Sequence, residues 1–518
     1  MKKKLGILLT LLLSISLLVG CGGNPASGGS AASASAGGAD SRTLRLSANA
    51  AYSTLDPYAT NALINFEIWN QTYEGLIFYD YDKGAAEPRI AKTWEMSDDG
   101  LTWTFHLRDD VKFHNGETLK ASDVVFSYNR ASKAGLMATY LTGISSVTAP
   151  DDTTVEFKLS SPVAPFLQNI ASLFILNEKF VTEKNDDLTS SICGTGPYML
   201  SSADLNTKIE LTAFDGYYRG APSIKTVTWD VITDATSQSM ALEAGDLDLL
   251  NLAFSQYSTY AANDKFTTAK VPTYHTVWVT FNCSKAPFNN VKLRQAIAYL
   301  LNRDEIVQAT FEGLGDADSL LISPNIQGLP DKSALKQYTC DPDKGLALLK
   351  EAGYDTSKEI DLGVMRTYPE NHYITKACPI IQAQLAKYNI KLSIEPMEVN
   401  AFVQAIYGGD FTIAMSGGSY GADASMYNQI FNSSNIGVTG GNCFQWSNSE
   451  VDALFEQGAR EMDAAKRQEI YGKIMDILYN EVPGTGVGHK YNVYAWTKDL
   501  NATVTPRGFF IYDWSFAQ

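Results

Sequence analysis

Histidine is scarce in this 518-residue chain, with five in all. They stand apart, at His106, His114, His275, His372 and His489. No two sit at i and i+4 with a glutamate between them, which excludes an HExxH metalloprotease helix. None of the six cysteines is spaced as CxxC, so zinc and redox motifs are missing. The five beyond the N-terminal region are Cys193, Cys283, Cys340, Cys378 and Cys443. An odd number cannot all pair, and a buried free thiol behaves as a small hydrophobe. No GxxxxGK[ST] loop occurs, and Gly194-Thr195-Gly196 lacks the third glycine of a dinucleotide loop, so nothing supports nucleotide use. Basic residues nowhere cluster, which argues against nucleic acid as a partner.

Long apolar runs are confined to the N-terminus. Lys2, Lys3 and Lys4 precede an uncharged apolar run from Leu5 to Val19, the cationic and apolar parts of a secretory signal. The run is short for a membrane span, which needs about 20 apolar residues. Gly22 to Asp40 is almost wholly Gly, Ala and Ser, and such a segment reads as a flexible tether. About 475 residues then remain, more than one hydrophobic core usually holds, so at least two lobes are expected. Without the three signal lysines, 38 basic residues face 57 acidic ones and the net charge is −19. That balance speaks for solubility and little else.

Leu101, Trp103, Phe105 and Leu107 alternate with Thr102, Thr104, His106 and Arg108, the period-2 mark of a half-buried strand. Asp98-Asp99-Gly100 and Asn115-Gly116 are turn signals on either side. Ser122 or Asp123 is placed to cap a following helix. From Ser41 to about Pro272 the pattern predicts short strands, at Thr43–Ser47, Leu101–Leu107, Thr154–Leu159, Lys208–Thr212 and Thr226–Val231. After Asn282 it changes. Asn289–Gly313 has helical spacing, and Asp341-Pro342 opens another helix that Gly353 ends. Strands at Ile360–Met365, Lys391–Pro396 and Phe411–Met415 then alternate with helices at Tyr373–Tyr388 and Val399–Tyr407, which favours parallel pairing. An amphipathic helical stretch covers Val451–Tyr479, in one piece or two.

Gly417-Gly418-Ser419-Tyr420-Gly421 satisfies GxSxG after a predicted strand. Ser419, with Asp463 or Asp476 and then His489, would have the chain order of an α/β-hydrolase triad. Both aspartates fall inside the amphipathic helical stretch, an unusual place for a triad acid.

Several segments resemble one family in order and spacing. They are Leu55-Asp56-Pro57, Glu74-Gly75-Leu76, Trp94 to Gly100, Phe105 to Gly116, Gly194 to Tyr198 (GTGPY), Phe214 to Pro222, Ala241 to Asp248, and Phe281-Asn282 with Ala286-Pro287-Phe288 and Val291 to Ile297. The chain resembles the extracytoplasmic solute-binding proteins of ABC importers, family 5, the class of oligopeptide- and dipeptide-binding proteins. The most regular of these segments, residues 73–128, carries nothing arranged for catalysis and reads as scaffold.

The resemblance implies an α/β, two-lobed periplasmic-binding-protein-like fold of the cluster C type. It has an extra subdomain in the first lobe and a hinge of two crossing strands, here His275–Asn282 and about Pro483–Ala495. Lobe I would take 41–80, 195–275 and 490–518, its extra subdomain 81–194, and lobe II 276–489. Residues 1–20 would be a lipoprotein signal, since Leu18-Val19-Gly20-Cys21 is similar to a lipobox, and 21–40 the tether. Cys21 would carry a diacylglyceryl group, and two acyl chains give stable anchoring.

The function implied is that of a monomeric, non-enzymatic protein. It sits outside the cytoplasm, touches the membrane only through its lipid, and needs no cofactor or metal. It would capture a peptide and pass it to ABC permease and ATPase subunits. The same fold would also suit a nickel complex, haem, an oligosaccharide or a pheromone-sensing role, and the hydrolase reading of Ser419 stands as a remote alternative.

For the ligand site, Tyr420-Gly421-Ala422-Asp423 matches the place where relatives carry a tryptophan and, three residues on, the aspartate that binds the peptide's ammonium. Asp423 then anchors a cation with Tyr420, Ser419 and Gly418 beside it. On the other reading, Asp423 only caps a short helix beginning near Ala424. This chain departs from the pattern at Tyr420 and at Ala424-Ser425-Met426. Asn61, Leu63 and Asn65, in the loop after Leu55-Asp56-Pro57, would follow the ligand backbone, since Asn both donates and accepts.

Overall fold

Thr43, Arg45 and Ser47 alternate with Leu44, Leu46 and Ala48, and the strand Thr43–Ala48 buries the second set, as one-sided burial of a pleated strand requires. The computed structural model describes residues 42–517 apart from 61, 82, 136 and 507. The expected signal, the tether with Cys21, and Asn61 therefore lie outside the described residues.

Thr43–Ala48 pairs in parallel with Thr226–Val231, which continues through antiparallel Lys208–Ala213 to Tyr198–Asp204. Leu44, Leu46, Tyr198, Leu211, Val227 and Trp229 form the core beneath the helix Leu63–Thr72. A second antiparallel sheet, ordered Ala91–Met96, Thr102–Leu107, Thr154–Leu159, Ile144–Asp151, packs on a core around Phe105, Phe157 and Phe166 that also takes in Tyr58, Trp69 and Tyr73. This is the extra subdomain. The helix Ala121–Ala131 that covers it starts one residue before the expected caps. Asp123 sits inside the first turn and accepts the Lys120 N–H at 2.9 Å.

The third sheet is mixed. Ile360–Thr367 lies between parallel Ile390–Pro396 and parallel Ile413–Gly418, with the helices Ala377–Ala386 and Val399–Tyr407 as crossovers. This is the predicted α/β alternation. The expected helix over Asn289–Gly313 is two helices, Val291–Leu300 and Arg303–Phe311. Asn302 breaks it by accepting the Glu305 N–H as a new N-cap.

Two long strands, Phe266–Phe281 and Gly484–Thr497, join the halves. They run antiparallel from the Phe266–Thr497 pair to the Thr280–Gly484 pair, with a break in register between Pro272 and Thr276. Proline lacks the N–H a ladder needs, so the break falls there. On one side of it Val271, Tyr494 and Trp496 join the first core. On the other, Val277, Val279, Phe281 and Val487 join the core of the α/β half. Trp278 joins a third core and Phe266, Val493 and Ala495 a fourth, so one pair of strands is built into both halves, which is the two-lobed, hinged architecture. Asp40–Gln518 form one compact unit.

Candidate ligand site at the lobe junction

The strand Ile413–Gly418 pairs along its whole length with Thr276–Phe281. On its other side, Ile360–Thr367 flanks only Ile413 and Ala414. Ser416, Gly417 and Gly418 therefore have a strand neighbour on one side only. A Cβ on Gly418 would stand 2.8 Å from the Tyr420 ring, so only glycine lets that ring fold back. The ring stacks near Trp278, with centroids 6.4 Å apart, and meets Tyr427 edge-on at 5.6 Å. Burial raises the Tyr420 phenol well above its ordinary pKa.

The chain turns at Gly421, whose φ of 115° favours glycine, and reaches Asp423, which is 2% exposed. Asp423 caps the short 3₁₀ helix Ala424–Tyr427 by accepting the Ser425 N–H at 2.9 Å. Arg467, on the helix Ala464–Glu481, grips the same carboxylate with two nitrogens at 2.8 and 2.6 Å. That ion pair raises the Arg467 pKa against the opposing pull of burial. The carboxylate thus has a built-in cation and a capping role together. Asp423, read from sequence as the anchor for a ligand ammonium, meets Arg467 through both oxygens and Ser425 through Oδ1.

Gln327 ties this loop to the other lobe. Its backbone bonds Ala422 O and Ala424 N, while its side chain accepts from Tyr79 Oη at 3.0 Å and donates to Tyr81 O at 2.9 Å. Tyr79 and Tyr81 belong to the hairpin Ile77–Asp80/Ala85–Pro88 and its turn. Burial pushes the Tyr79 phenol up to about 12, and the nearby Asp423 charge adds to this. The Tyr81 ring stands 6.4 Å from that of Tyr274, beside the register break. The loop around Asp423 therefore sits where lobe meets lobe.

The remaining sequence candidates are divided. Leu63 is 84% exposed, whereas Asn65 is 1% exposed. Asn65, expected to follow the ligand backbone, turns into lobe I, where its amide donates to Thr54 O. Ser419 is exposed and is not brought together with the other residues of the supposed triad. His489 bonds Thr276 Oγ1 at 3.0 Å and Asp318 Oδ1 at 2.8 Å. Asp463 caps its helix through the Lys466 N–H, and Asp476 pairs with Lys336.

Sequence reasoning missed Arg467, Gln327 and Tyr79. Arg467 carried a signal. It shares a helical stripe with Ile470, Tyr471 and Ile474, all buried, and an arginine on such a stripe needs an acidic partner.

A family model described as bacterial extracellular solute-binding proteins, family 5 (middle), matches residues 85–437. The dipeptide-binding protein of Escherichia coli K12 is 30% identical over 450 residues, covering 80% of this chain and 83% of that protein. Heme-binding protein A of Haemophilus influenzae is 28% identical, covering 81% and 82%. Among solved structures, the ABC transporter substrate-binding protein CtaP of Listeria monocytogenes superposes with a TM-score of 0.84 at 25% identity, covering 92% of this chain and all of that one. DppA of Helicobacter pylori in complex with the peptide STSA gives 0.75 at 25% identity, covering 92% and 98%.

Proposed function

This chain belongs to the bacterial extracellular solute-binding proteins of family 5, and from that premise we propose that it captures a peptide between its lobes and delivers it to an ABC importer. The one-sided strand end at Ser416–Gly418 is the observation that carries the reading. A peptide main chain laid along that edge finds donors and acceptors at strand spacing, while its side chains meet whatever lines the cleft. Tyr420, Ser419 and exposed Leu63 line it in this reading, and Asp423 holds the loop through Arg467 rather than the ligand. Relatives of similar length that bind dipeptides or a tetrapeptide, by their names, support peptide as the ligand class.

On this reading residues 41–80, 195–275 and 490–518 make lobe I, 81–194 its extra subdomain and 276–489 lobe II. The permease and ATPase are separate chains, and the protein has no enzymatic task. Cys21 carries the lipid that keeps it at the membrane's outer face. Palmitate labelling that disappears in Cys21→Ser supports the anchor, and a labelled variant rejects it. Native mass spectrometry of residues 41–518 tests the ligand. A ladder of peptide masses released on unfolding is expected, and a single non-peptide mass would overturn the proposal.

A further inference from the structure

The helix Ser449–Arg460 of lobe II ends beside Arg467. The last carbonyls of a helix have no partner within it, and three of them here are taken in three ways. Gln457 O accepts the Glu461 N–H, and Gly458 O accepts Arg467 Nε at 2.9 Å. Ala459 O accepts the Ala164 N–H at 2.8 Å. Ala164 belongs to the extra subdomain, so this bond joins the subdomain to lobe II.

The donor is held out by a stiff loop. Pro162 and Pro165 stand on either side of Val163-Ala164, and each ring fixes its own φ. Ser160 bonds Gly143 O through its N–H at 2.8 Å and its hydroxyl at 3.2 Å. Val163 packs on the same glycine, where a Cβ would stand 2.8 Å from Val163 Cγ2. The Phe166 N–H returns to Val163 O at 3.1 Å. The subdomain behind the loop is fused to lobe I. Arg130 grips Asp56 with two nitrogens at 2.9 and 2.6 Å, and Tyr58, Trp69 and Tyr73 share a core with Phe105. Subdomain and lobe I therefore move as one body against lobe II.

Arg467 links this bond to the contact at Gln327. A Cβ on Gly328 would stand 2.8 Å from Arg467 Nη1, and Gln327 beside it reaches Tyr79 and Tyr81. One unbroken seam thus runs from Tyr79 through Gln327, Arg467 and Ala459 to Ala164. We propose that the extra subdomain is a second jaw of the molecule. Its Ala164 loop latches onto the end of the helix Ser449–Arg460 when the lobes close, and Arg467 couples that latch to the loop at Asp423. The Ala164 N–H meets the negative end of the helix dipole, and one such bond favours the closed arrangement about fivefold. The latch serves any solute that the cleft accepts.

The test uses the full chain in detergent, without added solute, and follows exchange of the residue-164 amide hydrogen, which reports local opening. In the wild type it should exchange at least tenfold more slowly than in an unstructured chain, and exchange at the unstructured rate overturns the proposal. Gln327→Ala, at the far end of the seam, should speed it about tenfold, since both contacts open together. An unchanged rate overturns the proposal, because a bond serving the subdomain alone would not respond. Ala164→Lys brings a cation to the helix C-terminus and Ala164→Glu an anion, so the amide should slow in the first and quicken in the second. Shifts of one sign, or none, overturn it.

Ala164→Pro removes the donor and Ala164→Gly keeps it. Small-angle scattering should show a larger radius of gyration in the first and the wild-type radius in the second. A folded Ala164→Pro with the wild-type radius overturns the latch, and if that variant does not fold, the lysine and glutamate variants decide.

Discussion

Arg467 and Asp423 form a bidentate ion pair in which the side chains are only 11% and 3% exposed. The pair fastens the loop at the lobe junction to the helix Ala464–Glu481. Removing one partner of such a pair strands a buried charge and costs about 3–5 kcal/mol, whereas replacing both by apolar residues costs much less. Asp423→Ala is therefore expected to lower stability by about 3 kcal/mol, and Asp423→Leu with Arg467→Met to recover most of that loss. Urea titrations of the three proteins decide it. An Asp423→Ala variant of unchanged stability would show that the carboxylate is free for a ligand after all.

Gln327 spans the lobes through one side chain, at 3.0 Å to Tyr79 and 2.9 Å to Tyr81. Each bond contributes about 1 kcal/mol net. Gln327→Ala should thus raise the open population of the unliganded protein about tenfold or more, with little change in melting temperature. Small-angle scattering reads this as a larger radius of gyration without ligand, restored when ligand is added. An unchanged radius would mean that other contacts hold the lobes.

Glu67 gives the stability a pH dependence. It lies on the helix Leu63–Thr72, and its Oε2 is buried without a hydrogen-bond partner. Burial pushes its pKa up to about 8, with Trp229 opposing the shift. The folded state therefore binds this proton more tightly than the unfolded chain. The contribution is fully present below the ordinary carboxyl range and is lost as pH rises toward about 8, at up to about 1.4 kcal/mol per pH unit. Glu67→Gln should flatten that slope between pH 5 and pH 8 and leave the variant more stable than wild type at pH 8. Parallel denaturation curves at the two pH values, with equal slopes for both proteins, would contradict it.

These relationships explain what the sequence could and could not disclose. The alternation of Leu44 with Arg45 and of Phe105 with His106, and the switch to strands separated by helices after Asn282, express burial directly. Those strands stand where the pattern predicts them. The crossing strands were legible only through resemblance, since nothing local marks Phe266–Phe281 as belonging to the cores of both halves. Partners across long separations left no trace. Periodicity says that Arg467 faces inward but not that it meets Asp423, 44 positions away. It places Asn65 next to exposed Leu63 but cannot say that the amide turns back to Thr54. The helix break at Leu301–Asn302 was hidden because apolar residues run at helical spacing on both sides of it, and only the cap at Asn302 interrupts them.

Glu74 shows why the most recognisable segments carry stability rather than recognition. Three of them, around Tyr73–Leu76, Gly194–Tyr198 and Phe214–Pro222, meet at its carboxylate. Oε1 accepts Tyr217 Oη at 2.7 Å and Tyr218 Oη at 3.0 Å, and Oε2 accepts Thr195 Oγ1 at 3.2 Å. Burial raises the Glu74 pKa while these three donors and Arg89 pull it down. Glu74→Ala leaves three hydroxyl groups without their acceptor, at about 1–3 kcal/mol for each one that stays buried, so a loss of several kcal/mol is expected. Glu74→Gln keeps an acceptor for both tyrosines, can donate to Thr195, and carries no charge to desolvate. It should stay near wild-type stability and gain on wild type as pH rises, because the raised pKa penalises the ionised form. Ligand affinity per folded molecule should be the same in all three proteins, as measured by calorimetry on active-site-counted samples. A Glu74→Gln variant that folds normally but loses affinity would move this residue from scaffold to ligand site.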